Sequence, residues 1–104
     1  MNLIGTEFQI KVWKEIAKIP LGETRSYKEI ATAIGSPNSS RAVANACGKN
    51  PYPVKIPCHR VVKSDGGIGG YAFGVDVKKN MLIKEGICIN KNKIQNFEKT
   101  FFKF

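Results

Sequence analysis

Apolar side chains near the start of the chain recur at the intervals of a helix: Phe8, Val12, Trp13 and Ile16. Thr6 and Gln9 precede most of this run and have the spacing of a capping box. Pro20 interrupts the pattern, because its ring removes the amide donor that a continuing helix needs. The sequence therefore predicts a first helix over about residues 7–19.

A second apolar stripe is shorter and also follows a capping-box pair, Ser26 and Glu29. Its members fall at i, i+3, i+4 and i+7: Tyr27, Ile30, Ala31 and Ile34. After a turn at residues 36–38, a third short helix is predicted over about 39–47, with Val43, Ala46 and Cys47 packing inward. Two short helices joined by a tight turn, at about residues 26–48, predict a helix-turn-helix. The pattern alone leaves an ordinary helical hairpin open.

The second half of the chain is richer in proline, glycine and short β-prone runs. Prolines make residues 50–57 an extended segment, and residues 59–62 form a candidate strand that a turn at 64–67 folds back. The glycine-rich residues 68–74 lack the strand and helix context of a dinucleotide site and predict a loop. The expected fold is mostly α with a small β element, of the helix-turn-helix, winged-helix-like kind.

A last helix is predicted with Asp76 as its N-cap and Gly86 just past its end. Its apolar side chains are Val77, Met81 and Leu82. Glu85 falls in the final turn, where the helix dipole disfavours a carboxylate, so we expect a specific partner for it. Residues 90–104 mix lysines with phenylalanines without a clear period. This basic and aromatic tail can either dock on the domain or remain loose.

Length and charge add to this picture. A chain of 104 residues is one domain's worth, which we place at residues 1–89, ahead of the tail. The formal net charge is +9, and from Ile30 to Ser64 there are five Lys and Arg but no acidic side chain. Such a purely basic stripe indicates a polyanionic partner such as DNA. A charge that only keeps the protein soluble is the alternative.

The cysteines and the N-terminus indicate where the chain works. There is no signal-peptide pattern, and no apolar run approaches the roughly 18 residues of a spanning helix. The cysteine count is odd, without a C-x-x-C pair: Cys47, Cys58 and Cys88. This disfavours a disulfide framework and a zinc site. We expect reduced thiols, no metal, no membrane, and a cytoplasmic location, nucleoid-associated or nuclear where DNA access requires it.

Cys58 is the candidate nucleophile. It lies beside His59, the only histidine of the chain, and close to Arg60. Such a setting can stabilise a thiolate. The residues alone also allow a buried, inert thiol next to a structural histidine. Neighbours on a strand point to opposite faces, so contact between Cys58 and His59 does not follow from adjacency.

Separate motifs from Gly5 to Gly86 form a recognisable set: Gly5-Thr6, Phe8-Gln9, Val12-Trp13, Gly22-Glu23, Ser26-Tyr27, Arg41-Ala42-Val43, Asn50-Pro51, Ile56-Pro57-Cys58-His59-Arg60-Val61, Gly70-Tyr71 and Glu85-Gly86. In this order they resemble the C-terminal domain of the methylated-DNA protein-cysteine methyltransferases, which repair guanine alkylated on its exocyclic oxygen. The N-terminal domain usual in that family has no counterpart in these residues.

The resemblance implies an irreversible transfer without a cofactor, in which Cys58 attacks the alkyl carbon and guanine leaves intact. It implies that His59 activates the thiol through a water and that Glu85 orients His59. Tyr27 matches the tyrosine that protonates the departing guanine. Asn50 is similar to the asparagine that organises the hinge around the site. These five residues are the expected catalytic set.

The resemblance also implies how DNA is bound. The third helix would enter the minor groove, and Arg41 would fill the gap left by a base that leaves the stack. Small residues make this helix slender, and Asn45 alone is suited to reading a base edge. The expected DNA contacts are Tyr27, Ser40, Arg41, Ala42, Asn45 and Arg60. The expected pocket residues are Pro53, Tyr71, Ala72 and Phe73. We expect a monomer acting on double-stranded DNA that contains alkylated guanine.

Three other functions compete with repair. Alkyltransferase-like proteins share the scaffold, bind the lesion without repairing it and recruit other factors, but that class has tryptophan where Cys58 stands. A plain helix-turn-helix regulator gives no reason for the cluster at residues 57–60. A cysteine hydrolase would release its product and turn over.

Overall fold

The computed structural model describes residues 3–95 of the chain. Its elements are α1 (Glu7–Ile16), β1 (Arg25–Ser26), α2 (Tyr27–Ala33), α3 (Ser40–Gly48), a 3-10 turn (Cys58–Arg60), β2 (Val61–Val62), α4 (Val75–Lys84), β3 (Ile89–Asn90) and β4 (Lys93–Ile94). The predicted fold class, mostly α with a small β element, is confirmed. No helix within residues 3–95 has the length and apolar character needed to cross a bilayer.

The first helix begins at the predicted capping box. The Thr6 hydroxyl accepts a hydrogen bond from the Gln9 amide at 3.0 Å, and the Gln9 side chain accepts one from the Thr6 amide at 3.0 Å. The helix ends at Ile16, three residues earlier than expected. Hydrogen bonds between residues three apart, as in a 3-10 helix, continue the chain to Ile19, which is still buried.

The helix-turn-helix packs against α1 in one apolar core. Trp13 donates its indole N–H to the Ala46 carbonyl at 2.9 Å and so ties α1 to α3. Val43 and Ala46 are buried as expected. Cys47, also expected to pack inward, is only half-buried, because it lines a cavity. The helix-turn-helix is therefore held against α1, and α3 also borders the cavity.

A short parallel pairing of β1 with β2 brings the start of α2 beside the active-site segment, with Arg25 opposite Val61. The strand expected at 59–62 begins only at Val61, since residues 58–60 form the 3-10 turn. The alternation of a strand thus does not govern where Cys58 and His59 point.

A second, smaller core lies under α4 and the β3–β4 hairpin: Val62, Ile68, Leu82, Ile87 and Ile94. The Ile94 amide donates to the Gly66 carbonyl at 2.9 Å. Residues 90–95, the first part of the predicted tail, therefore dock on the domain, and the expected boundary at residue 89 falls inside the hairpin. The remainder of the tail lies outside the described residues.

The last helix differs most from expectation. Its N-cap is Gly74, whose φ of 104° suits glycine, and Asp76 lies in the first turn instead of capping it. Val77, one of the apolar side chains of this helix, is 44% exposed, while Lys78 is completely buried. The inner face is not purely apolar, because the Lys78 amine finds polar partners behind the site.

Candidate active site and DNA-facing surface

An open cavity of about 690 Å³ lies between α2, α3 and the glycine-rich loop. Cys58 lies on its wall and is 4% exposed. Among the predicted site residues, those lining the cavity are Tyr27, Ser40, Arg41, Cys58, Tyr71 and Ala72. The volume is that of a pocket for a small organic group, large enough for a nucleobase.

Asn50 holds the segment that presents Cys58. Its side-chain amide donates to the Ile56 carbonyl at 2.7 Å and to the Cys58 sulfur at 3.3 Å. Its carbonyl oxygen accepts from the Tyr52 amide at 2.8 Å. Val54, at the tip of the same segment, has a φ of 74°, which strains a β-branched residue. Asn50 therefore shapes the turn and holds the Cys58 sulfur in place through its side-chain amide.

A buried carboxylate stands behind His59. The Glu85 side chain accepts from His59 Nε2 at 2.8 Å, and Arg60 donates to both of its oxygens, at 2.9 and 3.0 Å. Although burial raises the pKa of Glu85, the hydrogen bonds from Arg60 and His59 outweigh it and hold the pKa below its ordinary value. Glu85, at the end of α4, therefore has the expected specific partner, and it has two of them: His59 and Arg60.

His59 is neutral at physiological pH. Burial lowers the pKa of His59, and this effect exceeds the opposing one of Glu85. With its proton on Nε2 facing Glu85, the ring keeps Nδ1 as an acceptor. Nδ1 is buried and has no hydrogen-bond partner within residues 3–95. The ring is therefore fixed by one nitrogen and available as a base through the other.

Arg60 is mostly buried and bound to Glu85, which argues against its predicted role as a DNA contact. Besides its two bonds to Glu85, it donates to the Ile19 carbonyl at 2.8 Å. The guanidinium therefore has its charge paired and its fork occupied. It fixes Glu85 because a carboxylate at a helix C-terminus needs a cation.

Lys78 is a site residue that the sequence reasoning missed. Its amine donates to the Val61 carbonyl at 2.7 Å, to the Gly70 carbonyl at 3.1 Å and to the Tyr27 hydroxyl at 3.3 Å. Burial lowers the pKa of Lys78 to about 8. Its position could have been predicted from the sequence, because Lys78 lies four residues, about one helical turn, before the apolar Leu82.

The glycine-rich loop lies tightly against Tyr27. A side chain on Gly69 would stand 2.9 Å from the Tyr27 hydroxyl, and the φ of 73° at this position favours glycine in any case. The Tyr27 hydroxyl donates to the Gly70 carbonyl at 3.4 Å. Burial raises the pKa of Tyr27, so the phenol keeps its proton.

Two expected pocket residues do not line the cavity. Pro53 is exposed within the strained turn, and Phe73 is 59% exposed. Phe73 packs edge-on against Tyr71 at 5.5 Å between ring centroids. The prediction that both line the pocket is therefore wrong, because the turn and the loop carry their side chains outward.

The outer face of α3 is exposed beside the cavity. Ser40, Arg41, Ala42 and Asn45 are all exposed, and Ser40 and Arg41 also border the cavity. Lys28 and Lys63 add positive charge to the same rim. Among residues 3–95, no group of His, Cys, Asp and Glu is arranged to hold a metal ion.

Fold and site together define a class: small helix-turn-helix proteins in which the second helix borders a cavity with a cysteine on its wall. Residues 7–87 match the family model described as 6-O-methylguanine DNA methyltransferase, DNA binding domain. The chain belongs to this family, and the resemblance found in the sequence is confirmed.

Two relatives illustrate the similarity. The chain is 56% identical over 78 residues to a probable methylated-DNA–protein-cysteine methyltransferase of Acanthamoeba polyphaga mimivirus, covering 75% of this chain and 52% of that one. It is 55% identical over 78 residues to the methylated-DNA–protein-cysteine methyltransferase of Methanosarcina barkeri, covering 75% and 49%. The chain thus spans about half the length of these relatives.

Two solved structures are similar in fold. Mycobacterium tuberculosis OGT in complex with DNA has a TM-score of 0.79 at 49% identity, over 81% of this chain and 52% of that one. S. pombe Atl1 in complex with damaged DNA containing O6-carboxymethylguanine has a TM-score of 0.82 at 30% identity, over 97% and 99%. The first neighbour shares more sequence, and the second matches almost end to end.

Proposed function

We propose that this protein repairs DNA by moving the alkyl group of O6-alkylguanine irreversibly onto Cys58. The observation that carries the proposal is a cysteine on the wall of a nucleobase-sized cavity, with the Asn50 amide 3.3 Å from its sulfur. The names of relatives at about half identity support the same activity. Double-stranded DNA containing the lesion is the proposed partner, bound by a monomer in the cytoplasm or wherever the cell holds its DNA.

The proposed chemistry begins with the thiol. His59 takes the Cys58 proton through a water on Nδ1, and Glu85 steadies the resulting imidazolium from the Nε2 side at 2.8 Å. The thiolate attacks the alkyl carbon, a C–S bond forms and the C–O bond to guanine breaks. Tyr27 donates a proton to the departing base. The Lys78 amine, 3.3 Å from the Tyr27 oxygen, stabilises the negative charge left on that oxygen.

The product explains the proposed single turnover. Removing the alkyl group from the thioether would require the Cys58 thiolate to leave from carbon, and a thiolate is a poor leaving group in such a displacement. One protein molecule therefore accepts one group, and no cofactor is required.

Base flipping is part of the proposal because Cys58 is 4% exposed. A sulfur this deep cannot reach a base inside a duplex, so the nucleotide must turn out of the stack, at a cost of a few kcal/mol. Arg41 borders the cavity on the exposed face of α3 and is the residue placed to fill the gap.

Lesion binding without repair is the second candidate. The end-to-end match to Atl1 in complex with damaged DNA favours it. The thiol at position 58 favours transfer, because the non-catalytic alkyltransferase-like proteins are expected to have tryptophan at this position.

The decisive experiment mixes the protein with a duplex that contains one O6-methylguanine and then measures the intact mass. We expect one added methyl group that stops at one equivalent, maps to Cys58 and is absent from Cys58→Ala. An unmodified duplex is the matched control. Tight binding of the lesion without any gain in mass would instead establish the non-catalytic function.

A further inference from the structure

The cavity holds a second thiol that the proposed transfer does not use. Cys47, near the end of α3, lines the same cavity as Cys58 and is half-buried. Cys88 is exposed and does not line this cavity. The chain therefore offers two cysteines at one site and a third as an internal control.

One residue ties the two cavity cysteines together. The Asn50 backbone amide donates to the Cys47 carbonyl at 3.3 Å, and its side-chain amide donates to the Cys58 sulfur at 3.3 Å. A hydrogen bond with Cys58, followed by burial, raises the pKa of the Cys47 thiol. Cys47 thus stays protonated and does not compete with Cys58 for an alkyl group.

We propose that Cys47 and Cys58 form a reversible disulfide when the protein meets a peroxide. The activity part of this inference rests on the proposed function, because an alkyl acceptor that works once is lost if its sulfur is over-oxidised. Sulfenic acid is reversible, whereas sulfinic and sulfonic acids are not. A neighbouring thiol that traps the sulfenic acid would preserve Cys58 for later reduction.

The reaction balances with hydrogen peroxide as the oxidant. The Cys58 thiolate attacks one peroxide oxygen, the O–O bond breaks, and hydroxide leaves with the electron pair to become water. Cys47 then attacks the sulfenic sulfur, losing its proton to the departing oxygen, so that the S–O bond breaks and water leaves. The two thiols lose two electrons and two protons in all, and peroxide is reduced to two waters.

The segment between the two cysteines is short and irregular, so it can adjust to this closure. A disulfide needs its Cα atoms within about 7 Å. Cys47 and Cys58 are separated by a segment that forms a turn, not a regular strand or helix, between residues 50 and 56. Closure requires side-chain rotation and a shift of that turn, starting from two cysteines that line one cavity and are both hydrogen-bonded to Asn50.

The test treats the intact protein with hydrogen peroxide, blocks remaining thiols with iodoacetamide and measures mass without reduction. We expect a product two hydrogen atoms lighter with one blocked thiol, and a peptide joining Cys47 to Cys58. Cys88→Ser, the matched control, should form the same link. In Cys47→Ser the link should be absent and Cys58 should advance to sulfinic acid.

Activity provides a separate readout. Oxidised wild type should lose methyl transfer and regain it with dithiothreitol, whereas oxidised Cys47→Ser should not recover. Over-oxidation of Cys58 in the wild type without a Cys47 link, or a link that requires Cys88, overturns the inference. The mass readout needs no repair activity, so a linked protein that never accepts methyl groups would refute the proposed function and leave the disulfide standing.

Discussion

The outer face of α3 and the buried polar network behind Cys58 are built in opposite ways. On α3 the residues expected to contact DNA are exposed, so their side chains add little to the packing of the domain. The network, defined as His59, Arg60, Glu85, Lys78 and Tyr27, consists of two hydrogen-bonded groups, one around Glu85 and one around Lys78. Their members bond to each other and to buried backbone carbonyls. Substitutions in the network should therefore affect folding and chemistry together, and substitutions on α3 should affect DNA binding alone.

The largest effect is expected from Glu85→Ala. It leaves Arg60 and His59 in a largely buried site without their anion, which should reduce the free energy of unfolding by about 3 kcal/mol. Chemical denaturation measures the loss. Glu7→Ala is the matched control, because Glu7 forms only an exposed pair with Lys11 and should change stability by less than about 0.5 kcal/mol. Equal losses in both variants would break the comparison.

Lys78→Met should come next. The variant removes the donor shared by the Val61 carbonyl, the Gly70 carbonyl and Tyr27, at a cost of about 1–3 kcal/mol for unsatisfied buried groups. Methyl transfer should slow as well, since Tyr27 loses the cation beside its hydroxyl. Lys78→Arg keeps the charge but not the size, so it separates charge from packing.

Lys78→Met should also change how the free energy of unfolding depends on pH. The folded state lowers the pKa of Lys78 from its ordinary 10.5 to about 8, so the unfolded chain binds more protons between these values. This group's contribution to the free energy of unfolding is therefore largest above pH 10.5 and is lost as the pH falls through 8. Denaturation of wild type and Lys78→Met across this range should show the rise only in wild type. Parallel curves would contradict the assignment.

Arg41→Ala should leave stability unchanged and slow repair. The gap left by a flipped base would lack its filling residue, so we expect a loss on the order of tenfold in duplex DNA, part of the unstacking cost. Transfer from a free alkylated base should be nearly unaffected. Lys11→Ala, an exposed cation on α1, is the control for net charge. Equal losses on both substrates would refute the role of Arg41.

The smallest effect is expected at the rim. Lys28→Ala should weaken binding to any duplex and reduce the slope of log affinity against log salt by about 1, if Lys28 neutralises one phosphate. Binding titrations at several salt concentrations measure this slope for lesion and undamaged DNA. A change confined to the lesion duplex would mean that the rim reads the damage itself.

Local rules explain why the helices were predictable. The capping box at Thr6 and the cap at Ser26 each join residues three apart, and the apolar stripes of α1 and α2 depend only on helical spacing. The rule failed in α4, where Asp76 does not cap and Val77 faces outward. There, a glycine with positive φ and a buried lysine decided the start and rotation of the helix.

The sequence by itself determined the helix-turn-helix, the family and the candidate nucleophile, because capping, periodicity and motif order are properties of neighbouring residues. Only the tertiary structure decided that Arg60 supports Glu85, that Lys78 reaches Tyr27 across 51 positions of sequence, and that Cys47 lines the same cavity as Cys58. It also showed that Pro53 and Phe73 do not line the cavity. Such contacts join distant parts of the chain, and burial, which sets pKa values and access, exists only once those parts have packed together.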